Sequence, residues 1–396
     1  MADNRREALI TGIGIVSCLG EGIDAHWRAL SGGEPRADTT AFAPYVVHPI
    51  APLDYDKQIP KKGDQRQMEP WQRIGTYAAG LALESAGTKG NAELLAKMDM
   101  IVAAGGGERD LAVDATILSG RGKAPSPDAF LNERLMNDLR PTLFLAQLSN
   151  LLAGNISIVH GVTGSSRTFM GEESSGIDAV RIAVARINAG QSDIVLVGGA
   201  HNSERRDLLM LYEFGRQNLK EKFAPVWQRG PDGGFALGSI GAFLVLESRA
   251  HAEARGAQAL ARLSSVASDR SKRQPGTVAL ALKKLWDGVA KRLRPGHVAI
   301  LSGATGSEPI TDEERKFLTA CQAPIRATGT YLGHAMEPQF PMNIALAAAV
   351  VSRGKLFPPG DKSGVESATD AAINQVVVTG VGHWRGEGLA LVEAAD

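Results

Sequence analysis

The sequence predicts an α/β protein that is built from two similar halves. Hydrophobic residues make up 44% and charged residues 22% of the 396 positions, which is enough apolar material for a large buried core. Short β-branched runs that end in small residues alternate with longer segments that are apolar at helical spacing. The short runs are typical of buried strands that lead into tight loops.

Two pairs of these strand-like runs echo each other along the chain. The run Asp99–Gly107 resembles His297–Gly306, and the run Asp193–Asn202 resembles Gln375–Trp384. Any α/β protein repeats strand–loop–helix units, but the shared order and a separation of roughly 180 to 200 residues favour an internal duplication.

The segments before the second pair also match. Ser175–Asp193 and Met342–Pro359 are each apolar at helical spacing, and each helix is expected to stop at a glycine. The first half is expected to span residues 1–250 and the second half residues 251–396. An irregular charged stretch at about 108–146 is expected to be a cap insertion rather than core.

Composition excludes several classes of protein. Lys+Arg and Asp+Glu are both 43, so a broad basic surface for nucleic acid is not expected. The two cysteines, Cys18 and Cys321, exclude a disulfide framework and a Cys-rich zinc site, and they fit a reducing cytoplasm. The first residues lack the apolar core of a signal peptide, and no apolar run is long enough to span a bilayer. We expect a cytoplasmic protein without a metal ion or cofactor.

Long segments, in order along the chain, resemble the β-ketoacyl-acyl carrier protein synthases. The matching segments are ALITGIGIVSCLGEG, LRPTLFLAQLSNLLAGNISIVHGVTG, GEESSGIDAVRIAVARINAGQSDIVLVGGAHN, PVWQRGPDGGFALGSIGAFLVLES, GTYLGHAMEPQFPMNIALAAA and VVVTGVGHWRGEGLALVEA. The resemblance covers nearly the whole chain. It implies a duplicated thiolase fold with five layers, α-β-α-β-α, which normally forms a dimer and works with acyl carrier protein.

The chemistry of the synthases depends on a small set of groups. A cysteine at a helix N-terminus takes the acyl chain, because the helix end lowers the pKa of its thiol. Two histidines assist decarboxylation of malonyl-carrier and hold the developing enolate oxygen. A lysine and a glycine-rich gating loop support the pocket.

This sequence departs from that pattern at most of these positions. The match from Ser175 to Val180 places Glu173 where the resemblance implies the cysteine. Gly303 stands for the first histidine, and Gly329 stands for the lysine. The second histidine is retained as His334.

The gating loop also differs from its usual Gly-Phe-Gly-Gly pattern. It reads Gly-Val381-Gly-His383 and is followed by Trp384. We expect these three side chains, together with Phe169, to line the substrate tunnel. Phe169 is also expected to face a partner chain.

The sequence allows two interpretations of the role of Glu173. A carboxylate at a helix N-terminus is stabilised by the free amides and the dipole, so Glu173 can simply cap or plug an inactive site. Alternatively it mimics a bound acyl or malonyl group, or acts as an acid or base. Neither Cys18 nor Cys321 has the helix-start context that activates a thiol, so both are expected to be small buried hydrophobes.

The sequence is compatible with three functions, and it does not decide whether the chain is an enzyme. The first is a non-condensing subunit that resembles chain-length factors and pairs with an intact ketoacyl synthase in fatty acid, very-long-chain or lipid A acyl, or polyketide synthesis. A helix and strand from Leu143 to Val159, with Phe144 and Leu148, would form the dimer interface. The second is a malonyl-carrier decarboxylase that uses Glu173 and His334. The third is a non-enzymatic homodimer that binds acyl chains or carrier protein.

Overall fold

The computed structural model describes residues 6–139 and 143–395. Residues 1–5 of the predicted first half, residues 140–142 of the predicted cap and residue 396 of the predicted second half lie outside the described residues. The strands are β1 (Ala8–Ser17), β2 (Gly20–Glu21), β3 (Val47–His48), β4 (Asp99–Ala104), β5 (Ser166–Phe169), β6 (Ile194–His201), β7 (Leu237–Gly238), β8 (Ile240–Ser248), β9 (Ala261–Asp269), β10 (Val298–Ser302), β11 (Ile325–Ala327), β12 (Gln375–Val381) and β13 (Glu387–Glu393). The helices are α1 (Gly22–Gly32), α2 (Lys62–Gln67), α3 (Pro70–Ser85), α4 (Ala92–Lys97), α5 (Leu111–Gly120), α6 (Pro127–Asn137), α7 (Leu143–Ala146), α8 (Leu151–His160), α9 (Glu172–Asn188), α10 (Arg206–Phe214), α11 (Arg249–Ala254), α12 (Thr277–Asp287), α13 (Ile310–Ala320), α14 (Gly329–Leu332) and α15 (Gln339–Arg353).

The large sheet consists of two five-stranded halves with the same topology. The first half has the order β5-β4-β6-β8-β1, and the second has the order β11-β10-β12-β13-β9; the short strand β2 is the eleventh and pairs with β1. In both halves the first two pairings are parallel and the last two are antiparallel. Two residue pairs between β1 and β9 join the halves edge to edge. The echoed runs of the sequence are the equivalent strands β4 and β10, and β6 and β12.

The helices form three layers around the two half-sheets. Helices α9 and α15 lie between the half-sheets, and their apolar side chains share one core with both. The outer face of the first half packs against α3 and α8, and the outer face of the second packs against α12 and α13. Alternate residues of the strands face the inner and outer helices, as the two-residue period of a strand requires. The predicted five-layer α-β-α-β-α fold is confirmed.

The central helix α9 begins and ends at residues with left-handed backbone conformations. Gly171 has φ 128° and Glu172 has φ 55° at its start, and Gly190 has φ 68° just beyond its end. Within the helix, a Cβ at Gly176 would lie 2.1 Å from the carbonyl oxygen of Glu337. A glycine is therefore required here for the segment before α15 to approach α9 closely.

The structure differs from the sequence prediction in the cap and the segment that follows it. The cap was expected to be irregular, but it contains α5, α6 and α7, and Asp110 accepts a hydrogen bond from the backbone of Val113 to cap α5. The strand expected before Val159 is wrong, because this segment is helix α8. Its β-branched residues suggested a strand, whereas the spacing of Leu152, Ile156 and His160 places one helical face against the core.

The predicted boundary between residues 250 and 251 falls inside the short helix α11, and its use as a domain boundary stays a prediction. Among the described residues, none of the helices combines the length and apolar character needed to cross a membrane.

Candidate functional site

The carboxylate of Glu173 lies at the centre of the candidate site. Glu173 is in the first turn of α9, and only 5% of its surface is exposed. Its Oε1 atom lies 2.7 Å from Nε2 of His334 and 2.9 Å from Nδ1 of His383. The backbone N–H of His383 donates to the same oxygen at 3.3 Å. One carboxylate oxygen therefore accepts hydrogen bonds from two imidazoles and one amide.

Two loops place the imidazoles. His334 follows α14, and its backbone N–H donates to the carbonyl of Ala236 at 2.7 Å. His383 lies in the turn between β12 and β13, where the N–H of Gly382 donates to the carbonyl of Gly386 at 2.8 Å. The guanidinium of Arg273 donates to the carbonyl of Gly382 from Nε at 3.1 Å and also from Nη2. Each loop is thus also held by backbone hydrogen bonds that do not involve Glu173.

The side chains of Glu173, His334 and His383 differ in charge: two form a charged pair and one is a neutral donor. Burial alone would raise the pKa of Glu173, but the charge of His383 and hydrogen bonds from both histidines hold that pKa well below its usual range. Burial opposes protonation of His383, yet Glu173 and Glu172 raise the pKa of its imidazole. Burial lowers the pKa of His334 in spite of its bond to Glu173. Glu173 and His383 therefore form the ion pair, and His334 donates as a neutral ring.

Glu172 approaches the other edge of the same imidazole. Its Oε1 lies 3.5 Å from Nε2 of His383. Burial, and then the neighbouring carboxylates of Glu173 and Glu337, raise the pKa of Glu172 to about 7, against the charge of His383.

Glu172, Glu173 and His383 are also close enough to suggest a cation site, because one ligand atom from each lies within 4.8 Å of the others. However, Glu173 faces Nδ1 and Glu172 faces Nε2, which point away from each other on the ring. Nδ1 already takes part in the hydrogen bond with Glu173, so hydrogen bonding accounts for the observed contacts.

Aromatic rings close the site from one side. The Phe235 ring lies 5.4 Å from that of His334 and 5.7 Å from that of His383. The Tyr212 ring meets His383 edge-on at 5.5 Å. Because these rings exclude water, the charges of the site interact more strongly than they would at the surface.

Comparison with known proteins identifies the family. The family model for the β-ketoacyl synthase N-terminal domain matches residues 5–252. The chain belongs to the β-ketoacyl synthase family. It is 27% identical over 273 residues to 3-oxoacyl-[acyl-carrier-protein] synthase 2 of Vibrio cholerae, which covers 66% of this chain. The match spans only 62% of that relative's own length.

Other members of the β-ketoacyl synthase family match over more of the chain. An oxytetracycline polyketide β-ketoacyl synthase 1 of Streptomyces rimosus is 23% identical over 378 residues, covering 89% of this chain and 86% of the relative. The solved structure of the ishigamide ketosynthase/chain length factor has a TM-score of 0.80 at 18% identity, covering 99% of this chain and 100% of that one. The structural likeness shows a shared fold.

Within this β-ketoacyl synthase fold, two predicted site residues are glycines that lie close to backbone carbonyl groups. A Cβ at Gly303 would lie 2.9 Å from the carbonyl of Thr379, so a side chain there would be directed at the backbone of β12. A Cβ at Gly329 would lie 3.2 Å from the carbonyl of Ala304. In the described part of the chain, no hydrogen bond joins either glycine to Glu173. Their assignment to the lost histidine and lysine positions stays a prediction.

The expected gating residues occupy different environments. Val381 is buried in a small cluster with Val278, Leu282 and Ile310.

The side chain of Trp384 is 60% exposed, and its ring lies 5.6 Å from that of His383. A cavity of about 390 Å³ is lined by both Trp384 and His383. Phe169, at the end of β5, is half-buried against the central core. Their roles in a tunnel remain predictions.

Sequence reasoning missed the contact between His383 and Glu173. It placed His383 in the gating loop and counted His334 as the only retained imidazole. The sequence did contain a signal for this contact, since His383 stands where the family loop has a glycine. The role of that histidine could not be inferred, because it depends on a contact between residues 210 positions apart.

The two cysteines offer no substitute nucleophile. Burial raises the pKa of the Cys18 thiol to about 12 and that of Cys321 to about 11. Both thiols are therefore protonated at neutral pH, and a thiol is a far weaker nucleophile than a thiolate.

Proposed function

We propose that this chain is a non-condensing member of the β-ketoacyl synthase family that pairs with an intact synthase and shapes the tunnel for its growing chain. It would act like a chain-length factor, with acyl carrier protein as the further partner, in fatty acid or polyketide synthesis. The observation that carries the proposal is the state of Glu173, whose buried carboxylate is held by two histidines. Condensation requires a nucleophile that forms a thioester with the acyl chain, and a carboxylate cannot do so.

The surface around β5 supports pairing. The side chains of Phe144, Leu148 and Ile158 are 75%, 39% and 72% exposed. They lie on α7, α8 and the turn between them, and β5 is the last strand of its half-sheet. We call β5 with these three residues the β5 surface. An open strand edge beside exposed apolar side chains favours another chain as its cover.

The decarboxylase alternative is less well supported. An enolate formed from malonyl-carrier needs hydrogen-bond donors at its oxygen. In the structure, Nε2 of His334 and Nδ1 of His383 both face Glu173. Neither donor is available to a substrate unless Glu173 moves.

Purified protein should therefore release no carbon dioxide from malonyl-carrier above background. Release that is lost on both Glu173→Gln and His334→Ala would support the decarboxylase instead.

Pairing is tested by co-expressing the tagged chain with an intact synthase and an acyl carrier protein from the same organism. We expect the synthase to co-purify and product length to change when the chain is omitted. Phe144→Glu and Leu148→Glu should each weaken pairing about tenfold or more, because a charge would be buried against an apolar partner surface. Leu280→Glu is the matched control, since Leu280 on α12 is 69% exposed but distant in the fold from the β5 surface.

The proposal fails if the synthase never co-purifies and product length is the same without the chain. A stable homodimer that binds carrier protein but no synthase would support the non-enzymatic homodimer instead. Equal pairing by all three variants would show that the β5 surface is not the interface.

A further inference from the structure

Arg167 is the one charged residue of the edge strand β5, and its side chain is exposed. In the part of the chain that the structure describes, its guanidinium forms no ion pair and no hydrogen bond. Met170, directly after the strand, is 67% exposed, and the other exposed side chains named for the β5 surface are apolar. A single uncompensated positive charge therefore lies on an otherwise apolar edge.

The register of β5 against β4 places this charge on the inner face of the sheet, toward the central helices. Arg167 lies opposite Ile101, and Phe169 lies opposite Ala103. Ile101 and Ala103 belong to the core that includes α9 and α15, and Phe169 packs against the same core. Residues that lie directly opposite each other on neighbouring strands point to the same face of a sheet. Arg167 thus points toward the central layer, at the point where the sheet ends.

The inner-face carboxylate two residues before Ile101 already has other partners. Asp99 is 7% exposed, and its Oδ2 atom accepts a hydrogen bond from Arg186 at 2.7 Å. Its Oδ1 atom accepts from the backbone N–H of Ser165 at 3.1 Å. A chain that covered this edge would therefore take water away from a guanidinium that has no counter-charge of its own. Burying a charge without such a partner is costly.

A second copy of this chain cannot supply the missing counter-charge. Two copies that pair through antiparallel β5 strands are related by a two-fold axis perpendicular to the sheet. Such an axis keeps the inner faces on the same side, so inner-face residues lie opposite inner-face residues. The two Arg167 side chains lie directly opposite each other if the pairing is centred on them, and diagonally, about 7–8 Å apart, if the centre is shifted by one residue. Like charges repel in each of these registers.

We infer that Arg167 selects the partner of the β5 surface, which is a chain with a carboxylate on the inner face of its own edge strand and not a second copy of this chain. A carboxylate opposite Arg167 can accept two parallel hydrogen bonds from the guanidinium and neutralises its charge. The inference rests on the proposed function, since it specifies the charge on the strand through which an intact synthase would pair.

Self-association of the full-length chain, measured by analytical ultracentrifugation, tests the role of the charge. The unaltered chain and Arg167→Glu should each associate weakly, because each brings like charges together. An equimolar mixture of the two should form a one-to-one dimer about tenfold or more tightly than either alone, because opposite charges then meet. Arg167→Gln removes the charge and should self-associate more tightly than the unaltered chain.

Arg28→Glu is the matched control for the mixture. Arg28 is exposed on α1, which packs against β1 at the other end of the same half-sheet. A mixture of Arg28→Glu with the unaltered chain should associate no more tightly than the unaltered chain alone. A gain that is confined to the Arg167→Glu mixture places the effect on β5.

Co-expression with the synthase gives a second readout. Arg167→Glu should weaken pairing with the synthase about tenfold or more, because two carboxylates would then face each other. Arg167→Lys should weaken pairing less, since it keeps the charge but loses the paired hydrogen bonds of the guanidinium.

Three results would overturn the inference. They are self-association of the unaltered chain as tight as that of the mixture, a mixture and an Arg167→Gln variant that associate no more tightly than the unaltered chain, and a synthase that pairs equally well with Arg167→Glu. Self-association is measured without a synthase, so the proposed function fails separately. A chain whose mixture dimerises as expected but which co-purifies with no synthase would refute the pairing with a synthase alone.

Discussion

Glu173 holds a negative charge where the surrounding protein excludes water, and His383 is the group that compensates it. The pair depends on the neutral His334 as a second donor to the same oxygen. Removing either charged partner would leave the other buried and uncompensated, which is costly for a protein.

Glu173→Gln is expected to lower the free energy of unfolding by about 1–3 kcal/mol, because the amide cannot compensate a protonated His383. In this variant His383 can lose its proton, so the loss of stability stays below that expected for a buried charge without a partner. Urea denaturation measures the change. Glu93→Gln on the exposed surface of α4 is the matched control and should behave as the unaltered protein does. The interpretation of the ion pair is wrong if the two variants are equally stable.

His383 should also make stability depend on pH. Its pKa is raised in the folded protein, so its contribution is full below the usual histidine pKa of about 6.5 and is lost as the pH rises through the raised value. Burial lowers the pKa of His26, His48, His160 and His334, which favours folding at higher pH. The readout is therefore the stability difference between the unaltered protein and His383→Gln, which should shrink from pH 6 to pH 9. A difference that is constant or grows with pH would contradict a charged His383.

At the scale of single residues, sequence was informative where a motif fixed the register. The six residues from Ser175 to Val180 were enough to single out Glu173. The pairing of Glu173 with His383 was beyond reach, because it depends on how β12 and α9 approach each other in space. The surroundings of Gly303 and Gly329 could not be predicted either, because the direction in which a side chain at these positions would point follows from the fold.

At the scale of elements, the position of Glu173 depends on the close packing of α9 against the segment that precedes α15. Gly176 permits this packing, because any side chain would meet the Glu337 carbonyl. The carboxylate of Glu173 lies one turn earlier on the same helix. A shift of α9 would therefore be transmitted directly to the Glu173–His334 contact.

Gly176→Ala is expected to lower stability by about 1–3 kcal/mol, because the added methyl group overpacks a rigid backbone contact. Gly154→Ala in α8 is the matched control, since its Cβ would meet only a Leu151 side-chain atom at 3.6 Å. The control should be neutral or slightly stabilising, because alanine favours a helix by about 0.5–1 kcal/mol over glycine. Thermal unfolding of both variants measures the effect. Similar melting temperatures would show that the α9 contact yields easily.

The helices that pack against the sheet were predictable from periodicity, and those of the cap were not. The segments of α9 and α15 are apolar at helical spacing and end near glycines. The residues of α5 and α6 have no buried positions, so no apolar stripe marks them as helical. Helix α8 was misread because β-branched residues occur in a helix whose stability comes from tertiary packing.

At the scale of the whole molecule, the duplication was predictable because equivalent strands share sequence patterns. The joining of the halves was not, because it involves the two residue pairs between β1 and β9 and a core that both halves share. A shared core couples the stability of the halves.

Hydrogen exchange should show this coupling. We expect the amides of β6 and β12 to exchange through the same global unfolding, with the same dependence on denaturant, because each half-sheet loses the central helices if the other unfolds. Native-state exchange with mass spectrometry of peptides from the two strands is the measurement. Exchange of one half at clearly lower denaturant would show that the halves unfold independently.

The two outermost strands of the molecule are not equivalent, although the halves are. The β11 edge is covered by its own chain, because Arg326 donates to the carbonyls of Phe357 and Ser367 and the N–H of Ala327 donates to Glu366. The β5 edge has no such cover among the described residues. A protein with one open edge can recruit one further chain and then has none left to offer. Assembly through the outer edges of the large sheet would thus end at two chains and would not grow into a filament.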